Sequence, residues 1–182
     1  MKKGMKPGDD SSTGAVEHGV QDASAHANGS DNCYQLALRY IEHRQRSEAE
    51  VYRYLYSKNA FSDEAIETAI SKLKNLKLID DREFAQSWRN DRLTFKPRSR
   101  SLIKRELVQK GVDPIAINEA ISDIDDLESA FQVAKKRAAL LSKLGYQEFY
   151  RRLAGYLGRR GYSGEVITTT IRKVWHLLQE ST

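Results

Sequence analysis

The 182-residue sequence has one cysteine, three prolines and no long apolar run. The single cysteine, Cys33, cannot form an intramolecular disulfide, and it supplies too few thiolates for a structural zinc site. A transmembrane helix needs about 20 consecutive apolar residues, and the lysines near the amino terminus are not followed by the apolar segment of a signal peptide. We therefore expect a cytoplasmic protein whose fold requires neither disulfides nor a membrane.

The motifs of common catalytic sites are also absent. The sequence contains no GxxxxGK[ST] phosphate-binding loop and no glycine-rich dinucleotide turn. His43 and His176 each stand alone in segments with helical periodicity. The adjacent carboxylates Asp80-Asp81 and Asp125-Asp126 fall where helices are expected to begin, and acidic side chains are favourable there. We therefore expect no enzymatic activity, no cofactor and no metal site.

Residues 1–32 differ in composition from the rest of the chain. They are rich in Gly, Ser, Asp and Ala, and Val16 and Val20 are their only branched aliphatic residues. Such a segment cannot bury enough apolar surface to offset the entropy lost on ordering. The sequence therefore predicts a disordered tail over residues 1–32, with the folded region beginning at residue 33.

Beyond residue 33, apolar residues follow helical spacing, and one pattern occurs three times. Stripes at i, i+3, i+4 and i+7 begin at Ile66, Ile117 and Ile167, which are 51 and 50 residues apart. Each stripe follows a residue that can cap a helix N-terminus. These caps are Ser62, Asp113 and Ser163.

Two further helices precede each stripe. One contains a pair of apolar residues spaced by four and ends near Asn59, Gly111 or Gly161, residue types that tolerate the left-handed conformation at a helix C-terminus. The other contains an alanine followed by an arginine seven residues later. Ser47 with Glu50, and Asp80 with Glu83, match the capping-box spacing.

The sequence therefore predicts an all-α fold of three tandem three-helix repeats, at residues 33–79, 80–126 and 127–182. Repeats of this length stack so that neighbouring units bury one another's faces. No segment shows the alternating pattern of a β-strand.

Three segments resemble motifs of the RecX regulatory proteins. Residues 78–85 (LIDDREFA), followed by Trp88 and Arg92, are similar to the family's central motif. Residues 105–112 (RELVQKGV) resemble its "EL..KG[IV]" turn, and residues 46–55 resemble the opening of its first repeat. In these motifs we interpret Phe84, Ala85 and Trp88 as core residues, and Asp80 and Asp81 as helix caps.

The resemblance covers residues 33–125 well and the third repeat more loosely. It implies an elongated, curved stack of three three-helix repeats. It also implies a non-enzymatic regulator that binds in the groove of the RecA filament on single-stranded DNA. Such a protein generally inhibits filament growth, ATP hydrolysis and strand exchange, and so acts in DNA repair, recombination and the SOS response. We expect a monomer.

Basic residues are concentrated in two stretches of the chain. Residues 88–110 contain eight basic and two acidic side chains, and residues 135–160 contain eight basic and one acidic. Residues 113–128, between them, contain six acidic side chains and no basic one. We expect a partner or nucleic acid to be bound by Arg89, Arg92, Lys96, Arg98, Arg100, Lys104, Arg105, Lys135, Lys136, Arg151, Arg152, Arg159 and Arg160.

On a helical wheel, Arg98, Arg100, Lys104 and Arg105 lie opposite the apolar residues Leu102, Ile103 and Leu107. The cationic face can bind DNA phosphates or an acidic protein surface, and the sequence does not distinguish between these two targets. Three alternatives stay open. These are a stand-alone DNA- or RNA-binding module, a structural adaptor for another acidic protein, and an ordinary solvated face. Tyr52, Tyr54 and Tyr56 could stack on bases, but we favour Tyr52 and Tyr56 partly covering the core and Tyr54 packing between units.

Overall fold

The computed structural model describes residues 18–180, and their side chains from residue 30 onwards. This part of the chain is all-helical. Its helices are α1 (His18–Glu42), α2 (Glu48–Tyr56), α3 (Asp63–Asn75), α4 (Asp81–Thr94), α5 (Arg100–Lys110), α6 (Pro114–Ile121), α7 (Asp126–Ala138), α8 (Tyr146–Gly158) and α9 (Gly164–Glu180), with a 3₁₀ turn at Ala139–Leu141.

The helices pack in three consecutive groups of three, α1–α3, α4–α6 and α7–α9, which we call units 1, 2 and 3. Each unit has its own apolar core, and the three predicted stripes contribute to these cores. Ile66, Ile117 and Ile171 are each almost completely buried. The all-α repeat fold predicted from the periodicity is therefore confirmed.

Local sequence signals determine where the helices begin. Ser47 and Glu50 form the predicted capping box at α2, and the hydroxyl of Ser62 caps α3. At α4 the box is only half formed, which corrects the prediction made for Asp80 and Glu83. Asp80 accepts the backbone N–H groups of the first turn, but the Glu83 carboxylate instead accepts a hydrogen bond from Gln45 of unit 1 (3.2 Å).

The start of α1 differs from the sequence prediction. The structure gives residues 18–32 as the first part of α1, ahead of the predicted start of the folded region at residue 33, while residues 1–17 of the predicted tail lie outside the described part of the chain. Cys33 and Ala37 are fully buried in the core of unit 1, so packing fixes the helix there. Once a helix is nucleated, each added residue gains a hydrogen bond without a new nucleation cost. Apolar periodicity in the sequence cannot reveal this extension, because residues 18–32 carry no apolar stripe.

The second helices of the three units meet end to end. The carbonyl of Lys110, at the end of α5, accepts hydrogen bonds from the hydroxyl of Ser47 (2.7 Å), which caps the start of α2, and from the side chain of Arg53 (3.0 Å) further along that helix. Likewise, the carbonyl of Arg160, after α8, accepts the N–H of Ser99 at the start of α5 (2.9 Å). The negative end of one helix thus meets the positive end of the next, a favourable arrangement of helix dipoles.

Two glycines allow these helix ends to approach. Gly111 and Gly161 have φ angles of 74° and 85°. A Cβ atom at Gly111 would lie 2.5 Å from Ala49 Cβ, and one at Gly161 would lie 2.6 Å from Ser99 Oγ. Asn59 occupies the related position in unit 1, also at positive φ (51°), and unit 1 is the first unit of the described part of the chain. A side chain is therefore accommodated at Asn59 but not at the two glycines.

Candidate partner-binding surface and the clefts between units

The outer face of α5 is the clearest cationic surface of the described chain. Leu102, Ile103 and Leu107 are buried against the core of unit 2. Arg100, Lys104 and Arg105 are exposed, and their side chains make no hydrogen bond or ion pair within the described residues. The orientation predicted from the helical wheel is confirmed for these three residues. It leaves Lys104 and Arg105 free for an external anion, while the charge of Arg100 also acts on the Asp126 carboxylate.

Arg98 differs from its neighbours because it precedes α5 and pairs with Glu106. The Glu106 carboxylate, with 12% of its side chain exposed, also accepts from Arg92 Nε (2.6 Å) and Trp88 Nε1 (2.8 Å). Arg92 and Arg98 thus hold a mostly buried carboxylate in place. Because leaving such a carboxylate unpaired is costly, these two cations have a structural role whatever else they bind.

Three more of the predicted binding residues form ion pairs. Arg89 contacts Asp123 (2.7 Å), and both Arg151 and Arg152 contact Glu148 (2.8 and 2.5 Å). The Arg151 and Arg152 side chains are 75% and 55% exposed, and exposed pairs of this kind contribute about 0–1 kcal/mol. Arg151 and Arg152 can therefore leave Glu148 and bind a phosphate at little cost in stability.

The remaining predicted cations are not all on one helix. Lys96, Lys135, Lys136 and Arg159 are exposed and have no side-chain partner in the described structure. Arg160 lies over the Tyr156 ring at 3.6 Å and donates to the Tyr156 carbonyl (3.2 Å). The junction of units 2 and 3 places residues 159 and 160 beside the start of α5, because Ser99 contacts the Arg160 carbonyl. Arg98 and Arg100 flank that serine in the chain.

A cleft of about 710 Å³, which we call the first cleft, lies between units 1 and 2. Its lining combines aromatic, cationic and carboxylate side chains: Tyr40, Glu50, Arg53, Tyr54, Trp88, Arg92, Arg98, Glu106, Gln109 and Lys110. From the sequence, only Tyr54 was predicted to pack between units, while Arg92 and Arg98 were predicted as binding residues without a position in this cleft. The other lining residues were missed, because their proximity depends on how the units stack.

A second cleft of about 570 Å³ lies between units 2 and 3 and is more apolar. Leu93, Phe95, Ile124 and Val133 line it, and Phe95 is 77% exposed. Its charged lining residues are balanced, with three cations (Arg89, Lys136 and Arg160) and three carboxylates (Asp123, Asp125 and Glu128). The two junctions therefore offer different chemistry.

Glu50 is the most perturbed carboxylate of the first cleft. Burial by itself would raise its pKa, but hydrogen bonds and charge from Arg44 (2.9 Å) and Lys110 (2.7 Å) outweigh burial and lower the pKa of Glu50 to about 2. Lys110 belongs to unit 2, whereas Glu50 and Arg44 belong to unit 1. The ionised carboxylate thus links the two units across the cleft.

The described residues offer neither a metal site nor a membrane-spanning helix. No three His, Cys, Asp or Glu side chains are grouped so that they could hold a metal ion. Within the same residues, no helix combines the length and the apolar character that crossing a bilayer requires.

Three consecutive three-helix units, joined through their second helices, define an all-α tandem-repeat protein. Family models described as the first, second and third three-helix domains of RecX match residues 33–73, 80–121 and 123–171. The chain belongs to the RecX family.

Named relatives support this assignment. The "Regulatory protein RecX" of Chlorobium phaeobacteroides (strain BS1) is 31% identical over 143 residues, which are 78% of this chain and 93% of that protein. The protein of the same name from Amycolatopsis mediterranei (strain U-32) is 33% identical, over 76% of this chain and 81% of that one. For the Bacillus licheniformis protein the identity is 32%, and this chain spans 54% of its length.

Solved structures share the fold. The crystal structure of RecX from Lactobacillus salivarius superposes with a TM-score of 0.70 at 26% identity, covering 81% of this chain and 97% of that one. A crystal structure of a regulatory protein RecX, at 22% identity and a TM-score of 0.72, has the same architecture over 85% of this chain and 79% of that one.

Proposed function

We propose that this protein is a non-enzymatic regulator that binds the RecA filament on single-stranded DNA and inhibits its growth, ATP hydrolysis and strand exchange. The observation that carries the proposal is the exposed face of α5, where Arg100, Lys104 and Arg105 are held outward by a buried apolar face and have no ion pair. The names of the relatives, regulatory proteins RecX, support a regulatory role.

A nucleoprotein filament suits this surface because it offers phosphates and acidic protein side chains together. A protein that inhibits the filament simply by occupying its surface needs only a rigid fold with outward-facing cations. We propose that the protein acts as a monomer in the cytoplasm, where a DNA-bound recombinase is found, and serves DNA repair and recombination.

The test replaces Arg100, Lys104 and Arg105 with alanine and measures inhibition of RecA ATP hydrolysis on single-stranded DNA. Alanine is a good helix former and the three side chains have no structural partner, so the variant should fold. We expect the concentration needed for half-inhibition to rise at least tenfold. Arg39, Lys143 and Arg172 are equally exposed and lack a side-chain partner in the described structure, so their triple alanine variant is a control for net charge.

A stand-alone nucleic-acid-binding module is the second candidate, favoured by the same unpaired cations. Binding to naked DNA at several salt concentrations separates the two. If the α5 cations contact phosphates, the triple variant loses affinity and the salt dependence becomes shallower by up to about one unit per lost contact. If they contact the recombinase, filament binding falls while naked-DNA affinity does not change. A folded triple variant that inhibits as well as the original protein would refute a binding role for this face.

A further inference from the structure

Phe95 is the most exposed large apolar residue of the described part of the chain. It lies in the loop between α4 and α5, and 77% of its surface is exposed. Leu93, two residues earlier, packs against the core of unit 2, whereas Phe95 belongs to none of the three cores. Because single exposed apolar residues are common on protein surfaces, the significance of Phe95 depends on its surroundings.

Those surroundings are the apolar part of the second cleft. Leu93, Pro97, Ile124 and Val133 continue the apolar surface from Phe95 across the junction of units 2 and 3. Ile124 and Val133 are only 9% and 7% exposed, so they lie deep in the cleft while Phe95 stands at its rim. The volume of about 570 Å³ falls within the range of protein binding pockets.

The three carboxylates of this cleft already have partners. Asp123 pairs with Arg89 (2.7 Å), and Glu128 accepts a hydrogen bond from the side-chain amide of Gln132 (2.7 Å). Asp125 accepts the backbone N–H groups of the first turn of α7. Asp125 and Glu128 also lie at the positive N-terminal end of that helix, which offsets their charge.

Two cations of the cleft, Lys136 and Arg160, have no carboxylate partner in the described structure. Arg160 instead lies over the Tyr156 ring (3.6 Å) and donates to the Tyr156 carbonyl, and Lys136 is exposed on α7. The unmatched charge of the cleft is therefore positive, although acidic and basic lining residues are equal in number.

Comparison of the two junctions shows why Arg160 is unmatched. Lys110 and Arg160 occupy corresponding positions, because each directly precedes the left-handed glycine that follows a second helix. Lys110 pairs with Glu50 of the preceding unit (2.7 Å). The residue that corresponds to Glu50 is Leu102, since each is the third residue after a serine cap. Leu102 lies against Gly161 and supplies no charge, so an external carboxylate can take the role that Glu50 has at the first junction.

We propose that the second cleft is a docking groove for an amphipathic segment of a partner protein. Its apolar side chains cover Phe95, Ile124 and Val133, and its carboxylates pair with Arg160 and Lys136. Aromatic anchors inside a polar rim are typical of protein interfaces. A nucleic-acid strand suits the cleft less well, because its phosphates would lie beside three carboxylates. None of the three free α5 cations lines the groove, and the inference does not depend on a recombinase partner.

The test selects ligands from a phage-displayed library of random dodecapeptides on the immobilised full chain, without DNA or recombinase. We expect the enriched peptides to combine large apolar residues with a carboxylate. Added to the protein in solution, they should shift the backbone amide resonances of Leu93, Phe95 and Val133. Failure to enrich any peptide, or enrichment of basic or uncharged sequences, would overturn the proposal.

Three variants connect the selected peptides to the groove. Phe95→Ser should weaken their binding about tenfold, whereas Leu140→Ser, which removes an equally exposed apolar residue outside the groove (74%), should not. Arg160→Gln should weaken binding of the acidic peptides but not of the same peptides with glutamine in place of glutamate. Equal binding by Phe95→Ser and the original protein would show that the peptides dock elsewhere and would refute the assignment.

Two further measurements address other occupants of the groove. In sedimentation of the protein alone, a dimer that Phe95→Ser dissociates would assign the groove to a second copy and overturn the proposal. Displacement of a selected peptide by a short oligothymidylate would assign it to nucleic acid, with the same consequence. The Arg100, Lys104 and Arg105 triple alanine variant should bind the peptides as the original protein does, so this outcome and that of the inhibition assay are independent.

Discussion

The carboxylate of Asp81, at the first position of α4, accepts a hydrogen bond from the backbone N–H of Glu48 at the first position of α2 in the preceding unit (2.9 Å). Its second oxygen accepts the N–H of Asp113 (3.0 Å). The same relationship recurs one unit later, where Asp126 accepts the N–H of Arg100 (2.7 Å). In each pair of adjacent aspartates, the first caps its own helix and the second joins two units.

This division of roles predicts different consequences for the two neighbours. Asp81→Ala removes the acceptor of two backbone N–H groups from different helices, so it should cost about 2 kcal/mol of unfolding free energy. Asp80→Ala removes a helix cap and should cost about 1 kcal/mol. Hydrogen exchange should accelerate at the amides of Glu48 and Asp113 in the first variant only. Unchanged protection of both amides in Asp81→Ala would contradict the assignment.

The glycines between units predict a second contrast. Gly111→Ala and Gly161→Ala impose positive φ on a residue with a Cβ and place that Cβ within 2.5–2.6 Å of the preceding unit. We expect each to cost about 2–4 kcal/mol, as the sum of backbone strain and overpacking. Asn59→Ala imposes only the strain, so it should cost about 1 kcal/mol. Urea denaturation measures all three, and similar losses at the three sites would argue against close packing of units.

The lowered pKa of Glu50 predicts a pH-dependent contribution to stability. Since the pKa is about 2 in the folded protein against 4.5 ordinarily, the ionised carboxylate stabilises the fold above about pH 5. This contribution is lost as the pH falls from about 4.5 towards 2. The stability difference between the original protein and Glu50→Gln should therefore shrink over that interval, by up to about 3 kcal/mol. A difference that stays constant from pH 7 to pH 3 would refute the linkage.

Within the basic stretch at residues 88–110, some cations should contribute to stability and others should not. Glu106→Ala leaves Arg92 and Arg98 without their shared anion and Trp88 without an acceptor for its Nε1–H. We expect it to cost about 2 kcal/mol, because these groups are partly shielded from water. Arg100→Ala and Lys104→Ala should each remain within about 0.5 kcal/mol of the original protein. Equal losses of stability in the three variants, measured by thermal denaturation, would show that α5 has no face free of structural contacts.

Several features of this protein could be predicted from its sequence alone. The helices, their caps at Ser47, Ser62 and Asp113, and the left-handed residues Asn59, Gly111 and Gly161 all follow from interactions between residues close in the chain. The threefold recurrence of the apolar stripe predicted the repeat fold, and the helical wheel predicted that Arg100, Lys104 and Arg105 point outward. These properties depend on spacing and residue type, which the sequence states directly.

The pairing of side chains, within a unit and across units, was decided only by the tertiary structure. Arg98 and Arg100 are alike in the sequence, although within unit 2 Arg98 is bound to Glu106 and the Arg100 side chain has no ion pair. Across units, Glu50 was predicted only as part of a capping box, although Lys110, 60 residues away, also contacts it. Such contacts arise where the C-terminus of one second helix reaches the N-terminus of the previous one. Their partners are fixed by the approach of whole units, a distance in space that no spacing along the chain encodes.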